Sequence, residues 1–265
     1  VTPGGGINHF DIQLHLIKEV LGGQYGSPIT ANGEPDAILH LGCGRGHWGI
    51  SMARLFPQAR VTSYDLTTFR VDDAAAAAML PANHHTLLGN PFEPLPFADA
   101  SFDFVRMHRH QMVTLLPVAR WPVLLQEMLR VTRPGGWIEI IEAEPPREGS
   151  PALRQLSAWV CEACVRGEID PLYSRRLGLS LQEAGLANVK KGMVALPAGQ
   201  WNGWIGRLTA IHCLTLFDGL AAFVSAQRVA TPEAYQHACQ VAGEEAIDPR
   251  WRAELPLTYA YGQRL

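Results

Sequence analysis

The stretch Ala37-Ile-Leu-His-Leu-Gly-Cys-Gly-Arg-Gly-His-Trp-Gly49 constrains this chain more than any other. Ala37 to Leu41 form an apolar strand pattern, and Gly42, Gly44 and Gly46 follow at alternate positions. From His47 to Phe56 the apolar residues recur at helical spacing. A strand that enters a helix through alternating glycines is backbone suited to close approach. Without a Cβ the chain turns tightly and lets a ligand reach its N–H groups. The helix start then offers unpaired donors and the positive end of its dipole to a carboxylate or phosphate.

From Ala37 to Glu142 strand and helix patterns alternate, which argues for a parallel sheet with helices on both faces. The strands fall at 36–41, 60–65, 84–88, 102–106 and 136–142, and the helices at 47–56, about 67–80, and 120–131. Arg133-Pro-Gly-Gly136 ends the last of these helices and opens the fifth strand. Upstream, Asp11 to Leu21 carries a helical apolar stripe stopped by Gly22-Gly23. Downstream, helices are expected at 151–166, 175–184, 201–224 and 232–244, with strands at 187–196 and 257–261. This divides the chain into an N-terminal helix and linker (1–35) and a core (36–265), with helical cap segments at about 145–185 and 200–244.

At 265 residues, 47% apolar and 18% charged, the chain can bury one substantial core. A net charge of −3 without a Lys/Arg block argues against a nucleic-acid partner, because phosphate binding needs a concentrated basic face. No apolar run is read as a membrane span and no leader pattern opens the chain, so a cytoplasmic protein acting away from membranes is expected. The five cysteines are scattered; Cys161-Glu-Ala-Cys164 lies in a helix pattern without a second pair, which favours buried thiols over a metal or redox pair.

Two cofactors suit the glycine loop. Gly44-Arg-Gly46-His-Trp-Gly49 spells GxGxxG, the dinucleotide fingerprint. The same run resembles motif I of the class I S-adenosylmethionine-dependent methyltransferases, an acidic and an apolar residue before GxGxG. Asp65, at the end of the next strand, sits where an acid binds ribose hydroxyls in both families. Later stretches decide between them. Leu87-Leu-Gly-Asn-Pro-Phe-Glu-Pro-Leu-Pro-Phe97, Ala98-Asp-Ala-Ser-Phe-Asp-Phe-Val105 and Leu129-Arg-Val-Thr-Arg-Pro-Gly-Gly-Trp-Ile-Glu-Ile140 resemble, in order, the later methyltransferase motifs.

That resemblance implies a Rossmann-like, doubly wound α/β sheet of seven strands in order 3-2-1-4-5-7-6. An N-terminal lid helix covers the cofactor, and a helical insertion precedes the last strand. It implies S-adenosylmethionine as cofactor and S-adenosylhomocysteine as product, with no metal. Gly42, Gly44 and Gly46 would meet the methionine end, Asp65 and Leu66 the ribose and its surroundings, and Asn90, Pro91 and Phe92 the adenine. Tyr25 would pack near the methyl donor, with Arg106 and Met107 of the fourth strand among the cofactor contacts. His40 departs from the pattern, because relatives carry Asp or Glu there. A neutral imidazole accepts a hydrogen bond from the methionine ammonium, whereas an imidazolium repels it.

In open α/β sheets ligands sit beyond the carboxyl ends of the strands, so Met107-His-Arg-His110 belongs beside the transferred methyl. His108 and His110 are the candidate general bases. Arg109, Glu142 and the insertion residues Trp201, Trp204 and His212 are the candidate acceptor contacts. Glu142 and Glu144 both end the fifth strand, where a carboxylate can bind a cationic substrate or act as a base, and a solvated strand end is the stronger reading for each.

Asp11-Ile-Gln-Leu-His15, Leu21-Gly-Gly-Gln-Tyr25, Arg120-Trp-Pro122, Leu196-Pro-Ala-Gly-Gln-Trp201 and Tyr261-Gly-Gln263 resemble a bacterial group near the LaeA-like and secondary-metabolite methyltransferases. The reading is transfer of a methyl group to oxygen, nitrogen or carbon of a small molecule, with a homodimer or higher homo-oligomer as an open assembly. The competing classes are an NAD(P)-linked oxidoreductase using GxGxxG and a S-adenosylmethionine-binding regulator without turnover.

Overall fold

The five parallel strands form in the expected order. A computed structural model describes residues 12, 15–18, 21–44, 46–66, 80–108 and 116–265. In it β1 (Ala37–Leu41), β2 (Arg60–Asp65), β3 (His84–Leu88), β4 (Phe102–His108) and β5 (Thr132–Ala143) run parallel as β3-β2-β1-β4-β5. Antiparallel β8 (Ala253–Gln263) pairs with β5, and β7 (Ala187–Ala198) pairs antiparallel with β8. An eighth strand, β6 (Arg147–Glu148), pairs with the start of β8. Two residues are too few to show a period in sequence, and β6 alone separates this sheet from the expected seven strands.

Several boundaries move for identifiable reasons. β4 runs on to His108, and β5 begins at Thr132, so the Arg-Pro-Gly-Gly turn lies inside a strand. Gly135 adopts φ 82° there, the register against β4 shifts, and Arg264 pairs with Gly135 and Gly136 through backbone hydrogen bonds of 2.6 and 2.9 Å. Chain-end backbone thus carries the pairing across a turn that sequence reads as a break. The expected helix at 175–184 is a 3₁₀ turn (Tyr173–Arg176) followed by a shorter helix, and that at 201–224 is a 3₁₀ turn (Gln200–Asn202) followed by two helices. The helix expected near 67–80 falls almost wholly outside the described residues. Of the lid helix, Ile12, His15–Lys18 and Leu21 are helical.

The helices are α1 (His47–Leu55), α2 (Trp121–Val131), α3 (Pro151–Arg166), α4 (Leu177–Glu183), α5 (Gly203–Gly219), α6 (Ala221–Ala226) and α7 (Pro232–Glu245). Ser150 and Thr231 start α3 and α7 as side-chain N-caps on the N–H groups of Leu153 and Ala234, each followed by proline. On one face of the sheet Trp48, Met52 and Ala53 of α1 pack on Ile38, Val61, Phe104 and Trp137. On the other, α2 and α4 cover Leu39, Leu41, Val105, Met107, Ile138 and Ile140. Helices α3 and α5–α7 build a separate core over Leu196, Ala198, Ala253 and Leu255, at the end of the sheet where β5 finishes. Lid residues Ile12 and Leu16 join that cap core, while Ile17 packs on Ile141 and Leu257. The lid helix therefore bridges cap and sheet.

The motif residues Asp103 and Arg133 tie the opposite, amino ends of the strands. Asp103 accepts the N–H groups of Asp36 and Ala37 at 2.9 and 2.8 Å, and Arg133 donates to both of its oxygens. Arg130 likewise binds the carbonyls of Leu95 and Phe97 and pairs with Glu127 and Asp99, fixing the loop before β4 to α2.

The helical stretch Gln200–Ala226 is long and apolar enough to cross a bilayer by length and composition alone, which corrects the expectation that no run is. It is interrupted at Leu220, and Cys213, Leu216, Phe217 and Val224 on its buried face belong to the cap core. Its attachment depends on Gly206, where a Cβ would stand 2.2 Å from the backbone oxygen of Gly199. A backbone oxygen cannot swing aside. Gly206→Ala is therefore expected to destabilise the protein by about 2–3 kcal/mol, seen as a thermal midpoint lowered by roughly 5–10 °C.

Candidate functional site

At the carboxyl end of β1 the glycine loop has the predicted geometry. Gly42, Gly44 and Gly46 adopt φ of 66°, 52° and 74°, where a side chain is strained. Gly42 donates to the Tyr64 carbonyl at 3.0 Å, and the Gly44 N–H donates to Asp65 Oδ2 at 2.7 Å. Asp65 thus ties the end of β2 to the middle of the loop, a structural task that comes in addition to its expected ribose role. Gly46 is the N-cap of α1, whose first turn has neither a side-chain cap nor an acidic residue. Such an amide end suits an anionic group. Gly49 lacks a side chain because of packing: a Cβ there would lie 2.4 Å from Ser63 Oγ and 2.7 Å from His84 Nε2. That requirement says nothing about which cofactor the loop holds. Burial, then the Asp65 charge, push the Cys43 thiol up to about 12, so it stays protonated.

The expected adenine side lies at the ends of β2 and β3. Gly89 donates to the Asp65 carbonyl at 2.8 Å, and Tyr64 Oη fills the space where a Gly89 side chain would go. Asn90 folds its own turn: Oδ1 accepts from Phe92 N–H at 3.0 Å and Nδ2 donates to Glu93 at 3.1 Å. Pro91 is buried, Phe92 is half-buried at the margin of the α2-side core, and Leu66 is 56% exposed. Leu66 and Phe92 offer apolar walls, and Asn90 shapes the turn between them.

Beneath the loop lies a row of polar residues that sequence reading did not assemble. His40, Arg106 and Glu139 are register partners on β1, β4 and β5, each with no exposed surface. Arg106 and Glu139 are paired at 3.3 Å. Burial pulls the guanidinium down to about 10 against the opposing pull of Glu139, so it remains protonated at neutral pH. Trp48 lies 4.5 Å from the Arg106 guanidinium and 4.6 Å from the His40 ring, and its Nε1 donates to Gln24 O at 2.8 Å. Arg106 donates to the same carbonyl. Glu139 Oε2 accepts the N–H groups of Gly26 and Ser27 at 2.8 and 2.9 Å. Arg106, expected among the cofactor contacts, is thus enclosed by protein.

Two other expected cofactor contacts have protein partners. Met107 points into the α2-side core. Tyr25 packs on Phe56 and Phe104, with ring centroids 6.1 and 6.2 Å away. Glu139 holds the next two residues of the linker, and that sets the direction in which Tyr25 turns.

Of the expected acceptor-side residues, His108 ends β4 opposite Ile141 and is 4% exposed, while Glu142, next to last in β5, lies opposite Thr258 and is 5% exposed. Arg109 and His110 lie outside the described residues. Trp204 is half exposed and meets His15 of the lid helix at 5.0 Å between ring centroids. Trp201 does not share its helix face. It sits in the preceding 3₁₀ turn, donates to Ala198 O and lies under Arg252. His212 is buried on the inner side of α5.

Glu144 overturns the reading of a solvated strand end. It has no exposed side-chain area and accepts from Ser174 (2.9 Å), Arg147 (2.5 Å) and Arg175 (3.0 Å). Burial raises its carboxyl, but the hydrogen bonds from Arg175, Arg147 and Ser174 outweigh that and leave it below its ordinary range. In α3, Cys164 is buried in the cap core, and its thiol is pushed up to about 12 by burial.

A family model described as a methyltransferase domain matches residues 38–136. Over 204 residues the chain is 30% identical to the secondary metabolism regulator laeA of Aspergillus flavus, covering 72% of this chain and 50% of that protein. Over 171 residues it is 28% identical to methyltransferase str3 of Strobilurus tenacellus, covering 62% and 58%. The chain thus spans about half the length of the relatives it matches. Among solved structures, phosphoethanolamine N-methyltransferase 2 of Haemonchus contortus, in complex with phosphomonomethylethanolamine and S-adenosylhomocysteine, superposes with a TM-score of 0.53. Its identity is 13%, over 97% of this chain and 58% of that one. Geranyl diphosphate C-methyltransferase of Streptomyces coelicolor, with Mg²⁺, geranyl diphosphate and S-adenosylhomocysteine, gives 0.51 at 16% identity, covering 99% and 85%. At such identities these two likenesses establish the fold.

Proposed function

We propose that the chain is a class I S-adenosylmethionine-dependent methyltransferase that methylates a small natural-product-like acceptor at oxygen, nitrogen or carbon, a reading supported by the methyltransferase-domain match over residues 38–136 and by the named relatives. The observation that carries the reading is the left-handed glycine loop anchored on Asp65 at the carboxyl ends of β1 and β2. Its N–H groups and the open start of α1 suit the methionine carboxylate, Asp65 the ribose, and Leu66 with Phe92 the adenine. The cofactor, when bound, supplies an electrophilic methyl group on a sulfonium. The chain's own work is to orient the acceptor, exclude water and, where the nucleophile carries a proton, accept it.

His108, at the end of β4, is the described residue proposed to take that proton, and Arg109 and His110 continue the same segment. The described lid residues and the cap pack together at the end of the sheet where β5 finishes, and the half-exposed Trp204 with His15 against it suits an apolar or planar acceptor. The names of the relatives, a secondary metabolism regulator and a methyltransferase, support an acceptor of that kind.

Calorimetry with S-adenosylmethionine, S-adenosylhomocysteine, NAD and NADP tests the cofactor. Micromolar binding of the first pair alone is expected, and binding of NAD instead would sink the proposal. A panel of small acceptors followed by mass spectrometry then tests turnover. His108→Ala is expected to lower turnover about a hundredfold with S-adenosylhomocysteine affinity unchanged; unchanged rates would remove it as the base. A regulator without turnover is the second reading, favoured by His40 at an acidic position and by the name of the laeA relative. Tight cofactor binding with no product across the panel would select it.

A further inference from the structure

We propose that Arg106 and Glu139 are positioning residues, a buried ion pair that seats the Gln24–Ser27 linker on the sheet and thereby holds the lid in register with the cofactor loop. This rests on the methyltransferase reading above. Arg106 has no exposed surface, so it cannot touch a ligand in this arrangement, and its effect on the site has to pass through what it holds.

What the pair holds is specific. It satisfies three backbone groups of one short segment, the Gln24 carbonyl and the Gly26 and Ser27 N–H groups. Nε and the second terminal nitrogen of Arg106 have no hydrogen-bond partner among the described residues, where its polar partners are Gln24 and Glu139. Burying two charges costs several kcal/mol per ion before their attraction is counted, and apolar residues of similar volume often replace such pairs without loss. The neighbours Phe104, Met107, Ile138 and Ile140 show that these strands accept apolar residues throughout. Stability alone therefore does not account for the pair, whereas the backbone of the linker does.

The coupling to the cofactor loop runs through one indole. Trp48 is the second residue of α1, two positions after Gly46, and its Nε1 binds the carbonyl that Arg106 binds. The same ring contacts His40, two positions before Gly42. A shift of the linker therefore moves Trp48, and with it both flanks of the glycine loop. On the other side the linker continues into the helical residues whose Leu16 and Ile17 pack on cap and sheet.

The test uses the full chain and needs no knowledge of the acceptor. Amide exchange at Gly26 and Ser27 and S-adenosylhomocysteine affinity are measured for native protein, Glu139→Gln, and the apolar double variant Arg106→Met/Glu139→Met. In Glu139→Gln the two amides are expected to exchange about ten- to a hundredfold faster, with affinity about tenfold weaker, as befits hydrogen bonds to a charged group. The double variant is expected to melt near the native temperature yet to keep both defects. Native affinity in the double variant would overturn the proposal and reduce the pair to packing. If Glu139→Gln fails to fold, Trp48→Phe removes one donor to Gln24 and is expected to weaken affinity; native affinity there would overturn the coupling. Failure of the native chain itself to bind S-adenosylhomocysteine would count against the methyltransferase reading, and the exchange rates would still decide whether the pair seats the linker.

Discussion

Replacing Asp65 with alanine is expected to weaken S-adenosylhomocysteine binding by at least about a hundredfold, the largest effect on cofactor affinity of any single site in the chain. Two losses combine. The carboxylate accepts the Gly44 N–H at 2.7 Å, and removing it frees the middle of a loop whose glycines all sit in the left-handed region. The same substitution removes the acceptor proposed for the ribose hydroxyls. Each charge-assisted hydrogen bond is worth roughly 1.5–3 kcal/mol, so one alone gives about tenfold or more and the two together exceed a hundredfold. Asp65→Asn separates the terms. Its amide oxygen still accepts from Gly44 and keeps the loop closed, so the asparagine variant should fall between native and alanine. Calorimetry on the three proteins decides; native affinity in Asp65→Ala would remove both roles from this residue.

The fold was legible where local pattern and tertiary need coincide. β1 to β5 alternate with helices, and the glycine loop, Asp103 and Arg133 are motif residues whose bonds can be named: Asp103 closes the start of β1, and Arg133 holds Asp103. Boundaries failed where distant chain supplied the partner. Gly135 and Gly136 read as a helix stop and a turn, yet they pair with Arg264 at the other end of the sequence. β6 exists only because Glu254 and Ala253 lie beside it.

The site was legible in its backbone and obscure in its side chains. Three glycines and an acid at a strand end announce themselves by type. For Arg106 and Met107 the family resemblance supplies a segment, and a segment says nothing about which face of a strand a residue takes. Arg106 and Met107 are adjacent and therefore point to opposite faces, one to the linker and one to the α2-side core. A signal for the buried pair did exist. Arg in Phe-Val-Arg-Met and Glu in Trp-Ile-Glu-Ile are charges with apolar residues on both sides in parallel strands, and a charge in such a place needs a partner of opposite sign. Pairing them required the register of β4 on β5, which the bulge near Phe102 conceals.

Glu144→Gln is expected to destabilise the protein by about 2–3 kcal/mol at neutral pH, lowering the thermal midpoint by roughly 5–10 °C. Breaking a fully buried ion pair typically costs about 3–5 kcal/mol; the figure here is smaller because Arg147 and Arg175 are half exposed and can turn to water. The amide still accepts a hydrogen bond, but it no longer screens two guanidiniums drawn to the same carboxylate oxygen at 2.5 and 3.0 Å. The pH dependence follows from the direction of the shift. The folded-state pKa of Glu144 lies below its unfolded value, so its contribution is complete above the ordinary carboxylate range and is lost as pH falls through the depressed folded value. The gap between native and Glu144→Gln midpoints should therefore be widest near pH 7 and close on acidification below about pH 4. A gap that stays constant down to pH 3 would mean that shape, not charge, is what Glu144 contributes where β5 gives way to the cap.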